Sequence, residues 1–447
     1  MTFARTFQQW TVAAATLVLL LVLFPAGPAS AQDLLIRGGT VLTITNGDLP
    51  DTDILIRNGK IAEIGQNLDA PDGVRVIDAQ DRFIMPGVLD DHSHMGIDRG
   101  INEGSRSVTP EVSIADVIEH DDPSFFTALA GGVTTIHTMH GSANSIGGQN
   151  EVIKLKWGRP WEELVVEDAP NTLKLALGEN VRRSRSSNPT RYPRSRSGVA
   201  EVMRESFQKA RNYMRAWERY EEEKAAWDRE NRGSRGLEPL PPKRDLQLEV
   251  LADVLRGNTI LRVHAYRADE MAMMMQVADE FGIRPGVFEH ALDAYKIAPE
   301  VAEHGWATSV FADSWGYKIE AYEAIPYKML IHHEHGIRTS INSDSGERVR
   351  RLYQEAARAV KYGGVPENEC LKMITLYPAT NLGIDHRVGS IEEGKDGDIA
   401  IFSDYPLHTP ARVEMTIIEG EVFFDRSETD VAADWVLDPE NEEEEIR

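Results

Sequence analysis

The feature that most constrains the fold is a series of short apolar runs in the middle of the chain, separated by stretches with helical periodicity. We count eight runs, each the length of one buried strand: residues 83–89, 134–138, 152–155, 173–177, 261–263, 286–288, 308–311 and 339–341. The stretch after the third run is poorly helical. Eight strands are the number that a closed parallel barrel needs. The sequence therefore predicts an α/β chain with a TIM-type (β/α)8 barrel.

Both ends of the chain have a different pattern, with short alternating strands punctuated by Gly and Asn. These strands lie at residues 34–39, 53–56, 60–64, 398–402 and 415–424. Two strand-rich ends around a barrel predict one small β-sandwich domain that is built from both termini.

The predicted organisation has five parts in chain order. They are a signal peptide at 1–31, an N-terminal sandwich part at 32–84, a barrel at 85–385, a C-terminal sandwich part at 386–430 and an acidic tail at 431–447. A helical insertion interrupts the barrel at about 182–250, with apolar residues from Met203 to Trp217 at the spacing of one helix face. This insertion is either a helical hairpin on the barrel rim or a lid or dimer contact, which leaves a homo-oligomer open.

The first residues are typical of an export signal. Arg5 precedes an apolar run at 12–24, and the small residues 29–31 form a cleavage site. The run is short for a membrane span of ~20 residues, so we expect cleavage before Gln32 and no membrane contact afterwards. A retained anchor is the alternative. Export of a chain without a disulfide is typical of a bacterial periplasm.

Charge and cysteine content narrow the class of partner and the type of metal ligand. The formal net charge of −24 argues against a nucleic acid or an anionic membrane as partner. The single cysteine, Cys370, excludes an intramolecular disulfide and a thiolate zinc cluster. Any metal must therefore be held by histidine and carboxylate ligands.

Such ligands follow the predicted strands. His92 and His94 come directly after the first run, and alternate residues on a strand point the same way, so both can bind one metal. His264, His290 and Asp344 end the fifth, sixth and eighth runs. Catalytic residues of a parallel barrel lie at the carboxyl ends of its strands. The five residues therefore predict a metal site.

Several longer motifs carry a resemblance to a known family. Residues 83–94, 131–135, 377–383 and 389–399 are similar to the first, second and closing segments of the amidohydrolase superfamily. Within it, the chain resembles imidazolonepropionase-like members most. The resemblance covers nearly the whole chain after the signal segment, apart from the helical insertion. It implies the barrel, the sandwich and the ligand order given above.

The resemblance also implies one or two divalent ions, with Zn²⁺ expected. Many members bridge two metals with a carboxylated lysine on the fourth strand, for which Lys174 is the candidate. Others use a glutamate in this region, and Glu179 is the alternative metal bridge. Lys154 and Lys156, on the third run, are further candidates. Lys174 and Glu179 have opposite strand parity, so only one is expected to point inward.

The expected activity is hydrolysis of an amide-type C–N bond, cyclic or linear, in a small molecule or short peptide by a metal-activated water. Asp344 and His290 are the catalytic candidates, with Asp344 passing the proton of the water to the leaving amine. Candidate substrate-binding residues are His137, His140, Arg267 and Tyr317. The alternatives are a metallo-dipeptidase or carboxypeptidase of the same superfamily and a non-catalytic ligand-binding barrel.

Overall fold

The computed structural model describes residues 33–97, 100–182, 191–230 and 237–429. The predicted signal peptide at 1–31 and the predicted acidic tail at 431–447 lie outside these residues, and their assignments stay predictions. In the described ranges, no helix combines the length and apolar character that a membrane crossing requires.

The strands run in chain order from β1 to β18. They are β1 Leu34–Arg37, β2 Thr40–Leu42, β3 Asp48–Leu49, β4 Asp53–Arg57, β5 Lys60–Gly65, β6 Arg75–Asp78, β7 Phe83–Pro86, β8 Val88–Ser93, β9 Val133–Thr138, β10 Ile146–Lys154, β11 Asn171–Ala176, β12 Thr259–Ala265, β13 Val287–His290, β14 Ala307–Val310, β15 Thr339–Ile341, β16 Ile399–Phe402, β17 Val413–Ile418 and β18 Glu421–Asp425.

The α-helices are numbered in the same way. They are α1 Ser124–Leu129, α2 Trp161–Leu164, α3 Gly178–Arg182, α4 Arg196–Glu230, α5 Leu246–Arg256, α6 Ala268–Phe281, α7 Ala298–His304, α8 Lys328–Glu334, α9 Leu352–Arg358, α10 Glu367–Lys372 and α11 Leu376–Leu382.

The two ends of the chain form the predicted sandwich. One sheet has the order β5-β4-β1-β6, and the other has the order β18-β17-β16-β7-β2-β3. β16 from the C-terminal part pairs antiparallel with β7 from the N-terminal part, with Ile401 opposite Ile84. A separate apolar cluster, which includes Ile54, Ile56 and Ile401, fills this domain. The prediction of one sandwich built from both termini is confirmed.

The middle of the chain forms the predicted eight-stranded barrel, with β8 to β15 in sequence order. The pairs β8/β9, β11/β12, β12/β13, β13/β14 and β14/β15 are parallel. Between the first and last strands, the Asp344 N–H donates to the His92 carbonyl at 3.2 Å. This contact brings the segment after β15 against the end of β8, where the predicted ligands lie.

The third barrel strand differs from the prediction of an all-parallel barrel. β10 runs antiparallel to both β9 and β11. Only residues 139–145 separate β9 from β10. A parallel neighbour would need a crossover of about a dozen residues or more, whereas an antiparallel strand needs only a short turn. The short connection explains the reversed direction.

The first predicted strand is also corrected, because residues 83–89 belong to two sheets. β7 ends at Pro86 in the sandwich, and β8 begins at Val88 in the barrel. A Cβ at Gly87 would lie 2.2 Å from Thr134 Oγ1. Glycine is needed here because the chain passes directly over the neighbouring strand.

The insertion contains two helices that pack together, α4 and α5, and α4 also packs on α6. Its buried face includes Met203 and Phe207, and the Phe207 ring lies 5.8 Å from that of Phe281 in α6. At the start of α4, Arg196 forms ion pairs with Glu270 at 2.7 Å and with Glu320 at 2.6 Å. The insertion therefore braces the loop after β14, which borders the site described below.

Lys328, the first residue of α8, is expected to lower the free energy of unfolding, because its charged group is buried. Its side chain is buried, and among the described residues the hydrogen-bond partner of its ammonium is the Ile325 carbonyl, at 3.5 Å. Burial lowers the pKa of Lys328 to about 8, although Asp313 and Glu355 favour the charged form. The unfolded chain keeps this proton up to a pH near 10.5, so the free energy of unfolding should rise as the pH increases from about 8 to 10.5.

We expect Lys328→Met to raise the free energy of unfolding at pH 7 by up to about 3 kcal/mol, since each pKa unit corresponds to ~1.4 kcal/mol. Urea unfolding of both proteins across this pH range measures the effect. Lys361→Met, at an exposed lysine, is the control and should change little. A variant that is less stable than the parent at pH 7 would contradict this account.

Candidate metal centre

Two histidines at the end of β8 form one side of the site. The ring of His92 is held by Glu289, whose Oε2 lies 2.9 Å from Nδ1, and the ring of His94 by the Met139 carbonyl, 2.8 Å from Nδ1. Both rings therefore direct Nε2 to one point, as a second polar partner commonly does for metal-binding histidines. These Nε2 atoms lie 3.6 and 3.2 Å from Asp344 Oδ1.

Asp344 completes this cluster from the segment after β15. Ligand atoms of His92, His94 and Asp344 all lie within 4.8 Å of one another. The backbone of Asp344 is left-handed, with φ of 49°, a conformation that costs a non-glycine residue ~1–3 kcal/mol and is often found at functional sites. The segment that follows Asp344 is capped by Ser345 Oγ, which accepts from the N–H groups of Glu347 and Arg348.

The electrostatic environment keeps Asp344 ionised. Burial by itself would raise the pKa of this carboxyl, but the facing rings of His92, His94 and His290 hold it well below its usual range. A carboxylate surrounded by imidazole nitrogens is a suitable ligand for a divalent cation. It is also in the form that can accept a proton.

His264 and His290 lie on the opposite side, at the ends of β12 and β13. Their ring centroids are 4.7 Å apart, and His290 Nε2 lies 3.9 Å from Asp344 Oδ2. His264 Nδ1 contacts Ser142 Oγ at 3.0 Å, whereas its buried Nε2 has no hydrogen-bond partner among the described residues. A buried ring nitrogen without a partner is costly unless it binds a ligand. The donor set and this nitrogen fit a metal ion.

The side chain of Lys174, in β11, reaches the same cluster. Its side chain is fully buried, and Nζ lies 3.1 Å from His92 Nε2. Burial lowers the pKa of Lys174 to about 8, although Glu289 and Asp344 oppose this change. The lowered pKa increases the fraction of neutral amine, which is the form that can add CO₂.

The other candidates for a bridging group lie elsewhere. Glu179 belongs to α3, beyond the end of β11, and its backbone N–H donates to the Glu320 carboxylate at 3.0 Å. Lys154 is paired with Asp396 at 2.6 Å and with Asp398 at 3.1 Å, between barrel and sandwich. Lys156 pairs with Glu419 at 2.7 Å. Of these side chains, the structure places Lys174 against the histidines.

A buried charged group behind the ligands was missed in the sequence. Arg262 Nε donates to Glu289 Oε1 at 2.5 Å, and Arg262 Nη2 lies 3.2 Å from Asp91 Oδ2. Ser309 and Ser340 donate to the two oxygens of Asp91 at 2.6 and 2.7 Å. The group fixes Glu289 and, through it, His92. Arg262 could have been found, because it lies two residues before His264 and on the same side of β12.

The two predicted loop histidines are engaged inside the protein. His137 Nε2 contacts Thr172 Oγ1 at 2.8 Å, and its Nδ1 lies 3.3 Å from the Asp91 carbonyl. His140 Nε2 accepts from the Glu103 N–H at 3.0 Å, and its Nδ1 lies 2.9 Å from the Gly141 carbonyl. Both rings have partners on both nitrogens, and a role of either residue in substrate binding stays a prediction.

The other two candidate substrate-binding residues, Arg267 and Tyr317, lie in different surroundings. Arg267 forms a two-pronged ion pair with Asp269, at 2.9 and 3.0 Å, on the exposed rim. Tyr317 lines a cavity of 590 Å³ over Asp344. Its hydroxyl lies 2.6 Å from that of Tyr266, a residue the sequence reasoning missed.

The remaining lining of this cavity is mostly aromatic or polar. It consists of Phe311, Asp313, Ser314, Trp315, Ser343, Ser345 and Arg348. The Phe311 ring stacks on His290, with centroids 4.6 Å apart. The cavity therefore connects the ligand cluster to solvent, and its size fits a small molecule.

Comparison with known proteins identifies relatives of this chain. A sequence model of the amidohydrolase family matches residues 320–427. Amidohydrolase tasK from Hapsidospora irregularis is 30% identical over 400 residues, which are 83% of this chain and 40% of that protein. The chain thus spans less than half the length of this relative.

Solved structures match over the whole fold. The crystal structure of an amidohydrolase from Thermotoga maritima MSB8 is 33% identical with a TM-score of 0.78, covering 88% of this chain and all of that one. A Xaa-Pro dipeptidase with methionine bound in its active site shares the fold, with a TM-score of 0.54 and 16% identity over 88% and 100% of the two chains. The 33% identity to the amidohydrolase from Thermotoga maritima, over the whole length of that chain, shows that the present chain belongs to the amidohydrolase family.

Proposed function

We propose that this chain is a metal-dependent hydrolase of amide-type C–N bonds, cyclic or linear. The observation that carries the proposal is the convergence of His92, His94 and Asp344, whose ligand atoms lie within 4.8 Å. The position of Lys174 Nζ, 3.1 Å from His92 Nε2, supports it. Within the family, the nearer likeness to imidazolonepropionase-like members stays a prediction.

The ligand set indicates a zinc-type ion. His92, His94, His264, His290 and Asp344 would hold it, since Zn²⁺ takes imidazole nitrogen and carboxylate oxygen. When bound, a divalent ion would lower the pKa of a coordinated water toward ~7 and polarise the scissile carbonyl. The neutral amine of Lys174 would add CO₂ and release one proton, and the resulting carbamate would supply the anion that two ions share.

The residues of the chain would handle the protons and hold the site in shape. Asp344, ionised and facing the histidines, would take a proton from the attacking water and return it to the leaving amine nitrogen. Glu289 would keep His92 in the tautomer that leaves Nε2 free to bind. The aromatic lining would exclude water around the bound substrate.

A metallo-dipeptidase is a second candidate. It is favoured by the shared fold with a Xaa-Pro dipeptidase and by the arginine in the cavity lining. A non-catalytic ligand-binding barrel is disfavoured because the ligand atoms of His92, His94 and Asp344 converge and His290 Nε2 lies 3.9 Å from Asp344 Oδ2. The left-handed backbones of His290 and Asp344, with φ of 67° and 49°, also point to a working site.

Turnover of an amide panel tests the proposal. The purified protein, loaded with Zn²⁺, would be assayed on linear N-acyl amides, cyclic amides and dipeptides, before and after treatment with a chelator. We expect hydrolysis of at least one amide class, lost on chelation and restored by Zn²⁺. Tight binding of these compounds without any turnover would instead support the ligand-binding barrel.

We also propose that the protein acts after export, in a bacterial periplasm, on the basis of residues 1–31. Fractionation of expressing bacteria, with N-terminal sequencing of the recovered protein, tests this. Recovery of uncleaved chain in the membrane fraction would favour the alternative of a retained anchor.

A further inference from the structure

The charged residues that line the cavity over Asp344 differ in their electrostatic partners. Asp313 is ion-paired with Arg358 of α9, and Asp344 faces the histidines. Arg348 is the cationic residue in the lining. Within the described ranges, the Arg348 guanidinium forms no ion pair with a carboxylate, although the chain as a whole carries a net charge of −24.

Arg348 is nevertheless held in place by neutral groups. Its Nη1 donates to Ser314 Oγ at 2.8 Å, and its backbone N–H donates to Ser345 Oγ at 3.2 Å. The guanidinium carbon lies 5.5 Å from the centroid of the Phe311 ring. These contacts fix the side chain and use only part of its five N–H donors.

A fixed guanidinium with free donors matches one kind of group especially well. A carboxylate can accept two parallel hydrogen bonds from one guanidinium, in a charge-assisted pair. The strongly acidic chain would otherwise repel an anionic substrate. An arginine without a protein carboxylate, in the cavity that contains Asp344, is therefore suited to take the carboxylate of a ligand.

The aromatic residues next to Arg348 in the cavity indicate which chemical group of a ligand would lie beside its carboxylate. Trp315 and Tyr317 line the same cavity yet have 57% and 54% of their surface exposed. Together with Phe311 they present aromatic faces that an apolar side chain could cover. A substrate with a carboxylate beside an apolar group would meet both features.

We propose that Arg348 binds the substrate carboxylate and that the substrates are N-acylated amino acids or short peptides with a free carboxylate and an apolar side chain. This inference rests on the proposed amide hydrolysis and narrows its substrate class. It gives Arg348 a role in substrate binding, for which the sequence suggested Arg267, whose guanidinium is paired with Asp269.

The test compares each N-acyl amino acid with its neutral carboxamide, in which only the anionic group is changed. The native protein should have a kcat/KM about 10- to 100-fold higher for the acid, as loss of a hydrogen bond to a charged group implies. Arg348→Gln should remove this preference, mainly through KM, and leave hydrolysis of the carboxamide within a few fold. Arg348→Lys should retain part of the preference, because it keeps the charge without the fork.

Arg351→Gln is the matched control, since Arg351 lies on the same single-turn 3₁₀-helix, Arg348–Arg351, and pairs with Glu347 at 2.7 Å. It should retain the native preference. Equal loss on acid and carboxamide in Arg348→Gln, with an unchanged melting temperature, would overturn the proposal and leave amide hydrolysis intact. Loss of the preference in Arg267→Gln instead would also overturn it. Absence of turnover on every amide by the native protein would overturn the proposed function itself.

Discussion

Replacing Asp344 by asparagine should reduce kcat by roughly 10²- to 10⁴-fold, the range that loss of a general base commonly causes. The bound metal should largely remain, because the imidazoles of His92, His94 and His290 surround the same point and an amide oxygen still coordinates weakly. Steady-state kinetics together with metal analysis of the same preparation measures both quantities.

Asp293→Asn provides the control for this experiment. Asp293 also follows a barrel strand, β13, but its carboxylate pairs with Lys296 at 2.9 Å rather than with the histidines. We expect this variant to have near-native turnover. The account of Asp344 would be wrong if Asp344→Asn kept both its metal and near-native turnover. The residue would then have a structural role and no role in proton transfer.

Replacing Lys174 by alanine should remove one metal ion per chain and most of the activity. The change deletes a buried amine that lies 3.1 Å from His92 Nε2 and replaces the predicted bridging anion with a void. Short carboxylic acids added to the assay should restore part of the activity by occupying that void. In the native protein, exchange with isotopically labelled bicarbonate should give a carbamate signal that is missing from the variant.

Glu179→Gln separates the two proposed bridging residues. Because Glu179 lies on α3, past the end of β11, we expect this variant to keep its full metal content. Depletion of metal in Glu179→Gln, with retention in Lys174→Ala, would show that the bridge had been assigned to the wrong residue.

The positions of the proposed ligands could be predicted from the sequence because they depend on a strong local signal. His92, His264, His290 and Asp344 each end or follow an apolar run, and the ends of barrel strands meet at one face. The direction of β10 could not be predicted from its apolar pattern, which reads the same either way. It follows instead from the short connection at 139–145.

Long side chains in loops were harder to predict, because their partners decide where they point. Arg267 and Arg348 both follow predicted ligands, at similar separations. Arg267 is paired with Asp269 on the rim, whereas Arg348 donates to Ser314 in the cavity. The left-handed backbone at Asp344 was not predicted either, although Asp adopts this conformation more readily than most non-glycine residues.

The central claim is that this barrel holds a catalytic metal through His92, His94 and Asp344, and elemental analysis coupled to an amide assay tests it most directly. The native protein should contain about one to two divalent ions per chain. The variant with both His92→Ala and His94→Ala should lose the metal and the turnover together, while His408→Ala, at an exposed histidine paired with Asp404, should keep both. A metal-free protein that hydrolyses amides at the native rate would contradict the account.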